Sequence, residues 1–422
     1  MQPLQVVRDA YDEYMQYEKE DKALAEYLLC IVIANMFPGE TVWGYVVGPP
    51  GSGKTEGVRP YSGSEHIFSI DDLSPSAMAS HYKDPEAPDA DHALIPKLDQ
   101  KTLIIKDFTT MLSSSNETIE AVMGQFRSAY DGTFDRATGV GYKGYRSKFG
   151  VIICTTGEMD ARASRHQKLG ERFLCFRIQR GRMWTPLAHR IDRHRKVLDA
   201  AISKEEWRAK LRDVVQPILT KLKAVTKVFT KLPPIQRPEE MLTRVLMLGD
   251  LLARCRSQPI YGHPTEPEDA NRLNQQLAGI ATARAFLDGR DTWNEEDYQL
   301  LLRIGTDTFP PPILAVLYHL YKSTYTSYED KRVLKGCQSA ELASHVGFSE
   351  DRYVAPLLGQ YHRLGIVSKK GAYYTLSEEA YGQLEAVGLF QSDEPPPTLA
   401  NATLYPVAII DADGQTHDPL VT

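Results

Sequence analysis

The spacing of apolar positions changes several times along the chain, and each change marks an element. Leu4, Val7, Ala10, Tyr11 and Tyr14, then Leu24, Leu28 and Ile31, recur at helical intervals among charged residues. That pattern predicts a helix over 5–37, ended by Pro38-Gly39. Thr41 to Val47 is instead a solid run of β-branched and aromatic residues, the form of a buried strand. Similar runs follow at His66–Ile70, Thr102–Phe108 and Val151–Thr156, and again after a turn at Gly170, up to Ile178. Between them lie a proline-punctuated loop (Lys83–Asp89), a helical pattern over Glu117–Tyr130, a turn at Asp131–Phe134 and helical residues 158–170. Strands alternating with helices at this spacing predict an α/β fold: a parallel sheet with right-handed crossovers.

Beyond Pro186 the pattern is helical to about Gly305, with Asp269 or Asn271 placed to cap one helix and Glu295-Glu296-Asp297 opening another. Residues 310–388 differ again. Three short helical patterns (Ile313–Tyr321, Ser339–Val346, Tyr353–Leu364) precede two β-rich runs joined by Lys369-Lys370-Gly371. Helix, helix, helix, hairpin is a winged-helix order. After Phe390 the chain is proline-rich and weakly patterned, expected to be disordered apart from a strand at Val407–Ile410. The expected organisation is an N-terminal helical segment (1–39), a nucleotide-binding domain (40–185), a helical lid (186–308), a winged helix (309–389) and a tail (390–422).

Composition changes this picture in two places. The five cysteines, Cys30, Cys154, Cys175, Cys255 and Cys337, have no paired or metal-ligand spacing and read as reduced thiols, which with the lack of an export signal predicts a cytoplasmic protein. Tyr27–Phe37, the longest apolar run, is too short to cross a bilayer. The net charge of −6 hides a basic block: Arg136 to Lys196 holds 15 Lys/Arg against 4 Asp/Glu. A basic block in an otherwise acidic chain suggests an anionic partner, nucleic acid or the phosphates of a nucleotide. His166, His189 and His194 lack accompanying ligands at metal spacing and read as surface or stacked histidines.

The sharpest chemistry follows the first strand. Gly48-Pro49-Pro50-Gly51-Ser52-Gly53-Lys54-Thr55 matches G-x-x-x-x-G-K-[ST], the phosphate-cradling loop. Its glycines let backbone N–H groups wrap an anion. Lys54 would reach the β- and γ-phosphates of ATP, and the Thr55 hydroxyl would ligate Mg²⁺. Thr102–Phe108 is a buried run carrying an acid, Asp107, in the form of the strand that orients Mg²⁺ or the attacking water. Asp71, Asp72 and Ser74 stand at the carboxyl end of another strand, the edge where such sheets bind ligands.

With these elements in sequence, residues 40–305 resemble the AAA+ ATPases, close to the replicative-helicase and MoxR-like branches and to phage or mobile-element members. The resemblance implies a homo-oligomer, usually a hexameric ring, with ATP at subunit boundaries. It implies a polar sensor at Thr155 or Thr156, an arginine finger at Arg172 (with Arg165 as competitor) and a second sensor at Arg272. It also places a basic hairpin, within Gly139–Lys148, where such helicases grip DNA, so that Lys143, Arg146 and Lys148 would neutralise backbone phosphates. One position departs from the family pattern. Where an Asp-Glu pair is usual, this chain has Lys106-Asp107 or, in the shifted register, Asp107-Phe108. Either way a carboxylate is missing, and Asp71 or Asp72 is the nearest replacement. The expectation is an ATP-driven motor on DNA with slow hydrolysis. The alternatives are a MoxR-like chaperone remodelling a protein, and a DNA-binding switch or loader that hydrolyses weakly. The winged helix leaves DNA and protein contacts both open, since Arg352, His362 and Arg363 stand close to Glu341, Glu350 and Asp351.

Overall fold

The computed structural model describes residues 3–15, 17, 21–74, 77–78, 93–138, 141–161, 172–178, 191–192, 195, 198, 203–226, 233–259, 265–328, 331–390, 409–410 and 416–417. The loop at Lys83–Asp89, Arg165, His166, His189 and His194 lie outside the described residues. The chain divides into two compact units: 1–156 with 172–237 and 278–300, and 157–171 with 238–277 and 301–422.

The first unit opens with two helices, α1 (Pro3–Met15) and α2 (Leu24–Ala34), where the sequence pattern predicts one. The apolar stripe lapses between Tyr17 and Leu24, so a continuous helix would have nothing to bury there. Of the residues of α2, all but Glu26 are buried, because the helix is apolar on every side. Next come β1 (Trp43–Val47), α3 (Lys54–Val58), β2 (Ile67–Ile70) and β3 (Thr102–Ile105). They are followed by α4 (Thr109–Leu112), α5 (Asn116–Tyr130), β4 (Thr133–Thr138), β5 (Gly141–Arg146), β6 (Gly150–Thr155), β7 (Phe173–Arg177) and α6 (Lys204–Thr226). Ser115 caps α5, its hydroxyl accepting the Thr118 N–H.

Five of the strands form one parallel sheet in the order β2-β3-β6-β1-β7. β1, β3, β6 and β7 are buried along their whole length, as strands covered on both faces must be. At the amino end of β1, the Trp43 indole donates to the Phe149 carbonyl at 2.8 Å and packs among Phe126, Tyr130, Phe149 and Phe173. α1 and α2 pack on the other elements of this unit: the Tyr11 hydroxyl donates to the Gly57 carbonyl at 2.5 Å, and Tyr27 to the carbonyls of Tyr45 and Leu174.

The small hairpin is larger than the sequence pattern indicates. Thr133–Phe134, expected as a turn, opens β4, which pairs antiparallel with β5 from Thr133↔Arg146 to Thr138↔Gly141. A short polar strand in which Phe134 is the one buried apolar residue among those whose side chains are described carries no apolar alternation to read.

The second unit holds α7 (Glu239–Cys255), and the division between the units falls within each of the helices α8 (Asn271–Leu287) and α9 (Glu295–Thr308). Asp269 caps α8, accepting the Asn271 N–H at 2.7 Å. After α9 come α10 (Pro311–Thr324), β8 (Tyr325–Tyr328), β9 (Lys331–Leu334), β10 (Cys337–Gln338), α11 (Ser339–Val346), α12 (Ala355–Arg363), β11 (Val367–Lys370), β12 (Tyr373–Leu376) and α13 (Glu378–Val387). The expected hairpin is β11–β12, completed by β10 into a three-stranded sheet of order β10-β12-β11. The β8–β9 hairpin and α13 are additions to the expected order. In the tail, Ile409–Ile410 pairs with Thr416–His417. Among the described residues no single helix is long and apolar enough to cross a membrane.

Candidate functional site

Parallel pairing decides which side chains share an edge. β1 stands abreast of β6 from Trp43↔Val151 to Val47↔Thr155, and of β7 from Trp43↔Phe173 to Val47↔Arg177. The loop Gly48–Gly53 therefore leaves the same sheet edge at which β6 delivers Thr155 and Thr156. The Gly48 N–H donates to the Thr155 carbonyl at 3.2 Å, fixing loop to strand tip. Gly51 and Gly53 take φ values of 75° and 94°, a left-handed conformation that residues with a Cβ avoid. Gly53 then turns the chain into α3, which Pro60 ends after Val58 in a 3₁₀ turn, Arg59–Tyr61.

So short a helix is held by its neighbours. Tyr11 and Tyr17 donate to the carbonyls of Gly57 and Gly53. From α6, Arg208 and Lys204 grip Glu56, the residue after Thr55, and the Gln216 amide donates to the carbonyls of Pro60 and Ser62. Burial would raise the Glu56 carboxyl, but its hydrogen bonds to Arg208 and Lys204 outweigh that and hold it below the usual glutamate range. The Glu56 clamp and the two tyrosines escape a reading by motif, since the matched pattern stops at Thr55.

Within the loop, the Lys54 ammonium donates to the Gly48 carbonyl at 2.6 Å and the Pro49 carbonyl at 2.9 Å. Burial pushes its pKa down, against the opposing pull of Cys154 and Asp107. Cys154, in β6, is wholly buried, and that burial pushes its thiol up to about 12, so it is an inert packing group. The Thr55 hydroxyl donates to the Lys106 carbonyl at 3.3 Å. On the loop and at the tip of β6, the hydroxyls of Ser52, Thr155 and Thr156 are buried without a hydrogen-bond partner among the described residues. Buried hydroxyls left without a partner are costly unless a polar ligand completes them. That set fits the phosphates of a nucleotide.

The acid strand behaves as its sequence suggests, with one correction. β3 ends at Ile105, so Lys106 and Asp107 are the first residues past the sheet edge. Asp107 is exposed, and its carboxylate accepts the Thr109 N–H at 2.9 Å. Phe108 is buried, its N–H bonded to the Cys154 carbonyl. Asp71, a candidate for the missing carboxylate, is instead ion-paired with Lys106 at 2.8 Å. That hydrogen bond to Lys106 lowers the Asp71 carboxyl below its ordinary value. The lysine that stands in place of one acid thus also neutralises one of its two candidate substitutes, Asp71, and not Asp72. A magnesium ion bound with a nucleotide would find Thr55 and Asp107 here, a set that fits the ion because Mg²⁺ uses one or two carboxylates beside phosphate oxygens. No cluster of three or more His, Cys, Asp or Glu side chains arranged to hold a metal occurs among the described residues.

The remaining candidates lie elsewhere. Arg172 precedes Phe173 at the amino edge of the sheet, opposite the loop, buried with its guanidinium 5.3 Å from the Tyr130 ring centre. The arginine that β7 does bring abreast of Val47 is Arg177, also buried. It could have been found by asking which end of the strand faces the loop. Arg272 begins α8 beside Glu268 at 4.0 Å, a carboxylate it shares with Arg256. Lys143 and Arg146 lie on β5, Arg146 exposed. Lys148 does not belong to the hairpin: its ammonium is bonded to the Gly39 carbonyl and its N–H to Asp99, and burial lowers its pKa. In the second unit Arg352, His362 and Arg363 are exposed, while Gln360 and Tyr361 of α12 are buried against Cys255–Gln258 and Thr265. Compared with known proteins, the chain matches no family model and no curated protein.

Proposed function

We propose that this protein is an ATPase of the AAA+ type that works as an oligomer on DNA. The observation that carries the nucleotide reading is the sheet edge at the loop, where Lys54 bonds the loop's own carbonyls and the buried hydroxyls of Ser52, Thr155 and Thr156 have no hydrogen-bond partner among the described residues. In this reading the Lys54 ammonium exchanges two loop carbonyls for the β- and γ-phosphates, and the loop N–H groups cradle the β-phosphate. Mg²⁺, held by Thr55 and Asp107, would neutralise charge on the phosphates. Thr155 or Thr156 meets the γ-phosphate, Asp107 orients water, and Arg172 serves a neighbouring subunit, because in its own chain it lies at the opposite sheet edge. Arg272 would act as the second sensor.

The strand order supports this assignment, since β6 intervenes between the loop strand β1 and the acid strand β3. The order α10, β10, α11, α12, β11, β12, in which β10 closes a three-stranded sheet with the final hairpin, supports the winged helix. The β4–β5 hairpin with Lys143 and Arg146 supports a nucleic-acid partner. The test is equilibrium binding of a fluorescent ATP analogue to the wild type and to Lys54→Ala. Micromolar binding lost in the variant is the expected result, and equal binding by both would sink the reading.

The Lys106–Asp71 ion pair favours a second version, in which the same site binds ATP as a switch and hydrolyses it weakly. Strand displacement separates the two: a motor unwinds a tailed duplex with ATP, and a switch binds it without unwinding.

A further inference from the structure

Tyr142 is 69% exposed, yet its ring is held in place. Its hydroxyl donates to the Asp135 carboxylate at 2.6 Å across the β4–β5 hairpin. The residue directly opposite Asp135 is Gly144, and the residue opposite Tyr142 is Ala137. A Cβ on Gly144 would stand 2.6 Å from Asp135 Oδ1 and 3.2 Å and 3.4 Å from Tyr142 Oη and Cε1. The ring can lie across the hairpin to reach Asp135 only because residue 144 lacks that atom. Strand alternation puts Gly144 and exposed Arg146 on the same face as Tyr142, Arg146 about 13 Å along. Arg136 and Lys143 pair with each other at the intervening register position.

We propose that this face of the hairpin binds single-stranded nucleic acid, with a base stacked on the Tyr142 ring and a neighbouring phosphate on Arg146. An aromatic ring fixed at both ends loses little freedom when a base covers it. Every base has a π-face, so such a platform is indifferent to sequence. In a duplex those faces are already stacked within the helix, so the hairpin selects single strands. The one carboxylate on this face, Asp135, is engaged by the tyrosine hydroxyl, which leaves Arg146 as the cation of this face, while Arg136 and Lys143 alternate to the other. The inference rests on the nucleic-acid partner of the proposed function and names its class.

The test uses the full chain and fluorescence anisotropy with labelled oligothymidylate, the matching abasic strand and a blunt duplex over a range of salt. Wild type should prefer oligothymidylate to both other probes. Tyr142→Ala should weaken oligothymidylate binding about 5- to 150-fold, leaving abasic-strand affinity and the salt slope unchanged. Arg146→Ala should instead reduce the salt slope by about 0.7. Because Tyr142 is exposed, the variant should keep its thermal midpoint, and Tyr142→Phe should retain most of the affinity. Equal wild-type affinity for thymidylate and abasic strands would overturn the proposal, as would an unchanged Tyr142→Ala or no binding to any strand. ATP-analogue binding by the same preparations reports separately on the nucleotide site.

Discussion

At the scale of single residues, Lys106 decides more than any other departure from the motif. Its carbonyl accepts from Thr55 and its ammonium holds Asp71, so it touches both the residue expected to ligate magnesium and the carboxylate nearest to replacing the missing one. Lys106→Asp should restore a second acid beside Thr55 and release Asp71 together. We expect Mg²⁺-dependent ATP turnover to rise about tenfold or more, equivalent to ~1.4 kcal/mol off the barrier. Steady-state phosphate release checks this, and turnover unchanged from wild type would show that Asp107 alone suffices. The ion pair also has a pH signature. Because Asp71's carboxyl is held below its ordinary value, whatever the pair contributes is present above the unfolded aspartate pKa and is lost as pH falls through the lowered one.

Among elements, the first unit owes its coherence to charges as well as to apolar packing. Arg284 of α8 is only 2% exposed and bonds Glu26 of α2, Asp297 and Glu296 of α9, with Asp288 at 3.4 Å. Arg8 of α1 and Arg290 complete the cluster through Glu26 and Asp297. Arg284→Met removes a cation from buried Asp297 and half-buried Glu26 without replacing their partners, which should cost about 3–5 kcal/mol. Thermal or denaturant unfolding measures that loss. A loss below about 1 kcal/mol would mean that Arg290 and Arg8 suffice to balance the acids. The same logic explains α3. A helix of five residues is too short to be stable alone, and the clasp of Tyr11, Tyr17, Arg208, Lys204 and Gln216 holds the phosphate loop's exit in place.

For the whole molecule, the open question is whether one chain makes a complete site. Arg172 lies at the sheet edge opposite the loop, so if it serves catalysis it serves another copy. Arg172→Ala should then keep nucleotide affinity within about threefold and lose turnover by roughly 10³-fold. Mixing that variant with Lys54→Ala should recover part of the activity, because each supplies what the other lacks. No recovery from mixtures of folded proteins, checked by their thermal midpoints, would argue that Arg172 only packs on Tyr130.

Much of this was legible along the chain because it is local. The run Thr41–Val47 and the motif Gly48–Thr55 declare a buried strand and an anion-binding loop through residue type and spacing alone. Pro60 announces that the next helix is short, and Lys106-Asp107 announces a missing acid. Tertiary structure decided what depends on pairing between distant segments. The gap in the stripe after Tyr17 divides the first helix, and the two halves settle where their tyrosines reach β1 and α3. Parallel register brings Thr155 to the loop edge, where the sequence places Thr155 or Thr156, and sets Arg177 there and Arg172 at the other edge. Lys148 goes to the Gly39 carbonyl and Asp71 to Lys106 because folding brings those groups within reach. Side-chain identity sets which chemistry is available, and strand register and long-range ion pairs set which groups meet, since both are satisfied only when the sheet closes.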